Sequence, residues 1–250
     1  MKREGRTALV VAAFLASWGL LQWMGRALAG RTDALALALF MVLYIAVAGI
    51  LLPLMVGGRA GLRLHEPMRG WKPWVGALFA VVALAAGLLG SGVLERLSET
   101  WPGWLTVLKY LLLFLPMSLA VCLVCFWLVP QMVVKGLGSG LWGTLAAVAA
   151  GGAVSLIGFW VDGLFGDLET ALILGILGLF FTAAAILTGS FWKVYPVFAL
   201  LMLANTLAEG KYHGVSWWAL VIGFVAALTA FIIGMHHGRA GERRGDETAG

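Results

Sequence analysis

Charge is scarce in this sequence. Only 12% of its 250 residues are Asp, Glu, Lys or Arg, while 62% are hydrophobic. A soluble domain carries about 25% charged and roughly 45–50% apolar residues. The shortage excludes a soluble globular domain, a disordered chain and a nucleic-acid binder with a basic face. Two cysteines exclude a disulfide framework. Acidic residues are missing from the long apolar runs altogether. An ionisable residue at depth is the usual mark of a membrane site, because its burial there is costly. The sequence therefore predicts no cofactor, no metal and no obvious catalytic group.

What is present is a series of apolar runs. A membrane-crossing helix needs about 20 mostly apolar residues. Eight runs qualify: 7–29, 34–56, 74–94, 105–129, 141–161, 170–187, 191–208 and 217–235. Their length, without strand-like alternation, points to helices rather than a barrel. None reads as a cleavable signal peptide. The expected fold is an all-α polytopic transmembrane bundle of about eight spans. It forms one domain over 1–235, followed by a charged, disordered cytoplasmic tail over 236–250.

Orientation follows from the cations. Placing the N-terminus in the cytoplasm gathers Lys2, Arg3, Arg6, Arg59, Arg63, Arg69, Lys72, Lys135, Lys193, Arg239, Arg243 and Arg244 on that side. Arg26, Arg31, Arg96, Lys109 and Lys211 fall outside. The split of twelve to five predicts that both termini are cytoplasmic. Most tryptophans fall near run ends, where an amphipathic ring suits the headgroup level. Trp18 lies deeper.

Small residues recur at fourth positions in three runs. They are Ala83, Gly87 and Ser91; Ala147, Gly151 and Ser155; and Ala171 with Gly175, with Gly178 followed by Thr182. Lipid supplies no hydrophobic drive between helices, so close approach through small residues is the usual glue. These stripes are expected to form the tight interior of the bundle or to face a partner. Ser118 and Asn205 stand out among the deep polar residues, with Gln22, Thr144, Ser155 and Thr182, all read as interhelical hydrogen-bonding groups. Pro53, Pro116 and Pro196 interrupt spans and favour kinks.

Other constellations are weak. His65, His213, His236 and His237 lie in loops or at a span end, without the facing intramembrane pair that a haem needs. Cys122 and Cys125, three apart, read as small packed thiols. Residues 136–140, GLGSG, lack the Gly two before the Ser of a nucleophile elbow and the Lys-Ser/Thr of a phosphate loop.

Two stretches carry a resemblance. Residues 61–71, GLRLHEPMRGW, lead into the third run. Leu174 to Gly178, then Thr188, Gly189, Ser190, Phe191 and Trp192, lead into the seventh. This order resembles the CPBP family of CAAX-protease and bacteriocin-processing membrane proteins, over about residues 60–207. The resemblance implies an eight-helix bundle in a bacterial cytoplasmic (inner) membrane. It also implies a catalytic set of paired Glu and His residues that activates water. Here the paired-Glu positions after Pro116 hold Leu119 and Ala120, and Leu123 and Val124 follow where Phe-Arg is expected. Residues 155–160 contain no His, and the His-x-x-x-Asn positions hold Phe198 and Met202. Apolar side chains cannot accept a proton or bind a metal.

Three functions follow as expectations. The first is a non-catalytic scaffold, accessory subunit or assembly factor. Its partners are the bilayer and another integral membrane protein, and nucleic acid is not among them. The second is a transporter for a small or lipidic solute. The third is a divergent intramembrane protease, or an enzyme using interface residues such as His65, Glu66, Asp162, Asp167, Glu209 or His213.

Overall fold

The computed structural model describes residues 3–27, 34–66, 68–90, 93, 95–96, 103–162, 168–209 and 216–247. The described chain is helical, with one isolated antiparallel bridge, His65 to Ser190. Its elements are α1 (Arg3–Ala27), α2 (Ala34–Leu39), a π-helical segment (Phe40–Leu51), α3 (Leu52–Arg59), α4 (Lys72–Gly90) and α5 (Trp104–Val121). A second π-helical segment (Cys122–Leu128) follows, then α6 (Val129–Leu137), α7 (Leu141–Asp162), α8 (Leu168–Thr188), α9 (Phe191–Glu209) and α10 (Trp217–Glu247).

Among the described residues, six helices are long and apolar enough to cross a membrane: Leu37–Arg59, Lys72–Gly90, Trp104–Leu137, Leu141–Val161, Phe191–Ala208 and Trp217–His237. Two shorter apolar helices, Gly5–Gly19 and Leu172–Thr188, overlap the first and sixth apolar runs. The outer faces are aliphatic: Leu78, Val81 and Leu89 on α4, and Val221, Val225 and Ile232 on α10, are exposed. At helix ends Trp74, Trp104 and Trp142 are about 80% exposed. In water such a continuous apolar surface would drive association; in hydrocarbon it costs nothing.

Both π-helical segments end two residues before a proline, Pro53 and Pro130. At each end the backbone N–H reaches five residues back: Leu52 to the Val47 carbonyl and Val129 to the Val124 carbonyl. Proline donates no hydrogen bond and its ring crowds the carbonyl four residues earlier. A widened turn accommodates that conflict without breaking the span. The two spans also cross each other closely. Gly49 packs on Ala120, and Gly57 lies against the ring of Trp127.

The bundle has two halves. In one, α7 packs on α8, α8 on α4, and α6 on α7; in the other, the first π-helical segment packs on α10 and α5, and α3 on α10. Helix α9 joins the halves through α4 and α5, and α1 through α7 and the first π-helical segment. Trp18 is buried in the joint, edge-on to Phe14 and Phe159 and tilted on Tyr44.

Helix α10 continues to Glu247, past residue 235, where the sequence was expected to leave the helical domain for a disordered tail. Arg and Glu in that extension propagate a helix readily, while its three Gly do not.

Candidate functional site

The most informative place is where the family resemblance puts its catalytic residues. Ala120 is fully buried and touches Gly49. Leu123 and Val124, in the second π-helical segment, have no exposed surface. Phe198, on α9, meets Phe126 edge-on at 5.1 Å and Phe181 edge-on at 5.3 Å between ring centroids. Phe126 and Phe181 stack at 5.8 Å. Leu119 and Met202 pack, partly buried, against the same core. Close-packed rings fill this region, and the side chains at these positions are all apolar. Nearby on α7, Ser155 donates to the carbonyl of Gly151 at 3.0 Å. Cys122 and Cys125 are buried free thiols in the same wall.

The small-residue stripes meet one another. A Cβ added to Gly151 would lie 2.5 Å from Thr182 Oγ1 and 2.7 Å from the Cys125 carbonyl oxygen. One on Gly178 would lie 2.6 Å from Ser155 Cβ, and one on Gly175 2.9 Å from Leu156 Cβ. Ala147 is fully buried. On α4, Ala83 is buried and a Cβ on Gly87 would fall 2.6 Å from a Leu201 methyl. Ser91 lies outside the described residues. These stripes are spent on contacts within the chain: α7 on α8, and α4 on α8 and α9.

The polar interior differs from the expectation of bonds between helices. Asn205 Nδ2 donates to the Leu201 carbonyl of its own helix at 3.0 Å. Thr182 donates to Gly178 in the same way at 2.7 Å. A carbonyl four residues back is always within reach of a Ser or Thr in a helix, so the local bond forms first. Ser118 is 1% exposed, and among the described residues its hydroxyl has no hydrogen-bond partner. Lys109 lies with Nζ 5.3 Å from the Trp217 ring centre, joining α5 to α10.

The two stretches that carried the resemblance come together in space. The Glu66 N–H donates to the Gly189 carbonyl at 2.6 Å, and the Phe191 N–H to the Leu64 carbonyl at 2.9 Å. Gly189 has φ +59°, a left-handed conformation that suits glycine, and a Cβ there would collide with the Glu66 carbonyl. Trp127 Nε1 donates to the Arg63 carbonyl at 2.9 Å, and Lys135 Nζ to the carbonyl of Ala60. No feature of the sequence announced this pairing, because backbone bonds between loops leave no periodic signal. Arg59, Arg63, Arg69, Lys72, Lys135 and Lys193 are exposed at this end of the bundle, with Glu66 in the same loop.

His65 and Glu66 are exposed. Asp167 and His213 lie outside the described residues, as do the side chains of Asp162 and Glu209. His236 and His237 are neighbours on α10, and His237 Nδ1 lies 3.0 Å from the Ile233 carbonyl. Among the described residues no three His, Cys, Asp or Glu side chains cluster as metal ligands would.

No family model, no curated protein and no solved structure matches this chain.

Proposed function

We propose that this is a non-catalytic integral membrane protein of a bacterial cytoplasmic membrane, a scaffold, accessory subunit or assembly factor for another membrane protein. In this reading it spans the bilayer eight times with both termini in the cytoplasm. It is a degenerate relative of the CPBP proteins. One observation carries the proposal: Phe126, Phe181 and Phe198 close-pack where that family needs a polar chamber. Ala120, pressed on Gly49, closes the remaining space. A hydrolase must admit water and move a proton, and these side chains do neither. The aliphatic outer faces of α4 and α10 leave broad surfaces for a neighbour in the membrane.

The test is purification at native expression with identification of co-purifying chains. An integral membrane partner at fixed stoichiometry is the expected result. A chain that purifies alone and cleaves membrane peptides would overturn it.

The two π-helical segments, each ending two residues before a proline, favour a second reading, a transporter for a small or lipidic solute, because widened turns are common where helices move or bind. Solute flux into liposomes carrying the pure protein is the discriminating measurement.

A further inference from the structure

A cleft of about 230 Å³ opens between α5, α9 and α10, lined by Leu115, Pro116, Trp192, Tyr195, Phe224 and Phe231 among others. Its walls are apolar. The Tyr195 hydroxyl is already committed, donating to the Leu115 carbonyl at 3.1 Å. The cleft runs lengthwise. Phe224 and Phe231 are seven residues apart on α10, which is about 10 Å along the axis. Trp192 lies in the first turn of α9, at the bundle end, so the cleft leads from that end inward. Leu228, on its lip, is 51% exposed, so the cleft opens sideways into whatever surrounds the bundle.

Shape and charge select the occupant. A helix about 10 Å across fills roughly 800 Å³ over that length, too much for this cleft. A single hydrocarbon chain is thin enough. Cations stand beside the Trp192 end: exposed Lys193 follows Trp192 in the chain, and the loop bearing Arg63 and Arg69 is bonded to the start of α9 through Leu64 and Phe191. Basic groups at the mouth of a cleft between helices suit a lipid phosphate. We propose that the cleft holds one acyl chain of an anionic phospholipid, with its phosphate at Lys193 and the neighbouring basic loop. The inference rests on the membrane placement and is independent of any protein partner.

The experiment uses the full chain, delipidated in mild detergent and titrated with palmitoyl-oleoyl phosphatidylglycerol or phosphatidylcholine, with bound lipid counted by native mass spectrometry. One phosphatidylglycerol per chain is expected at concentrations where phosphatidylcholine does not bind. Lys193→Gln should weaken phosphatidylglycerol binding about fivefold. Leu228→Trp, at an exposed lip and so compatible with folding, should abolish retention of phosphatidylglycerol. Equal retention of the two lipids, or unchanged retention in both variants, would overturn the proposal. So would a Leu228→Cys cross-linker that captures a protein chain from native membranes in place of lipid.

Discussion

The seam between α7 and α8 and the junction of α5, α9 and α10 solve the same problem in opposite ways. At the seam, Gly151, Gly175 and Gly178 bring backbones so close that no Cβ fits. Its hydroxyls turn inward to their own helices. At the junction, rings and prolines meet: Pro116 and Pro196 interrupt α5 and α9, and the helices part around a cleft. In lipid, attraction between helices comes from contact alone. Small residues maximise that contact, and bulky residues beside a kink leave space. One region is held by what it lacks, the other by what it contains. Atoms added to the first should therefore damage it, while the second should suffer when atoms are removed.

The largest effect is expected at the seam. Gly151→Leu forces a side chain into Thr182 and the Cys125 carbonyl, and neither the backbone oxygen nor the tight helix pair can yield cheaply. Inserting extra methylenes into a packed core costs about 1–3 kcal/mol; a whole Leu side chain where not even a Cβ fits exceeds that range, and the folded, monodisperse fraction in detergent should collapse. Normal yield and thermal stability for this variant would remove the distinction between the regions. Next is Phe198→Ala, which deletes the ring that meets both Phe126 and Phe181. Losses of about 3–5 kcal/mol are typical for buried aromatics in soluble proteins. The flanking rings can shift toward the gap, so a smaller loss than at Gly151 is expected, read as a lower midpoint of thermal unfolding in detergent.

Trp127→Phe removes the hydrogen bond to Arg63 and withdraws the Cζ2, Cζ3 and Cη2 atoms that lie against Gly57. The lost bond alone should cost about 1 kcal/mol, and faster proteolysis within the loop at residues 61–71 would report the loss locally. Lys109→Met should be milder, about 0.5–1 kcal/mol for a cation over a ring, seen as a small shift that shrinks in high salt. Smallest of all is Leu228→Trp, which adds atoms at the cleft lip and should leave the unfolding midpoint unchanged. A fall comparable to that of Gly151→Leu would show that the junction is as tightly packed as the seam.

The two regions were not equally legible in the sequence. A span announces itself through some 20 apolar residues, and the stripes at Gly151 and Gly175 through their four-residue spacing. What each stripe would touch was open, because a stripe meeting another helix of the same chain reads the same as one facing a partner. The junction left less trace. The π-helical segments are built from the Leu, Val, Ile and Phe found in every span, and only the prolines two residues beyond them hint at strain. The cleft depends on crossing angles that no local pattern encodes. The four apolar side chains at Leu119, Ala120, Phe198 and Met202 could be named from the resemblance. Their closure by Phe126 and Phe181 could not, because those rings come from other turns and another helix.

The backbone bonds between residues 64–66 and 189–191 have a consequence for the order of assembly. They join parts of the chain about 125 residues apart. A ribosome adding about 5–20 residues per second needs roughly 6–25 s to bridge that interval. Throughout that time the loop after α3, with its cations, waits without the turn that will hold it. The early helices are thus made before their own connection is fastened, and the turn at Gly189 latches it late in synthesis.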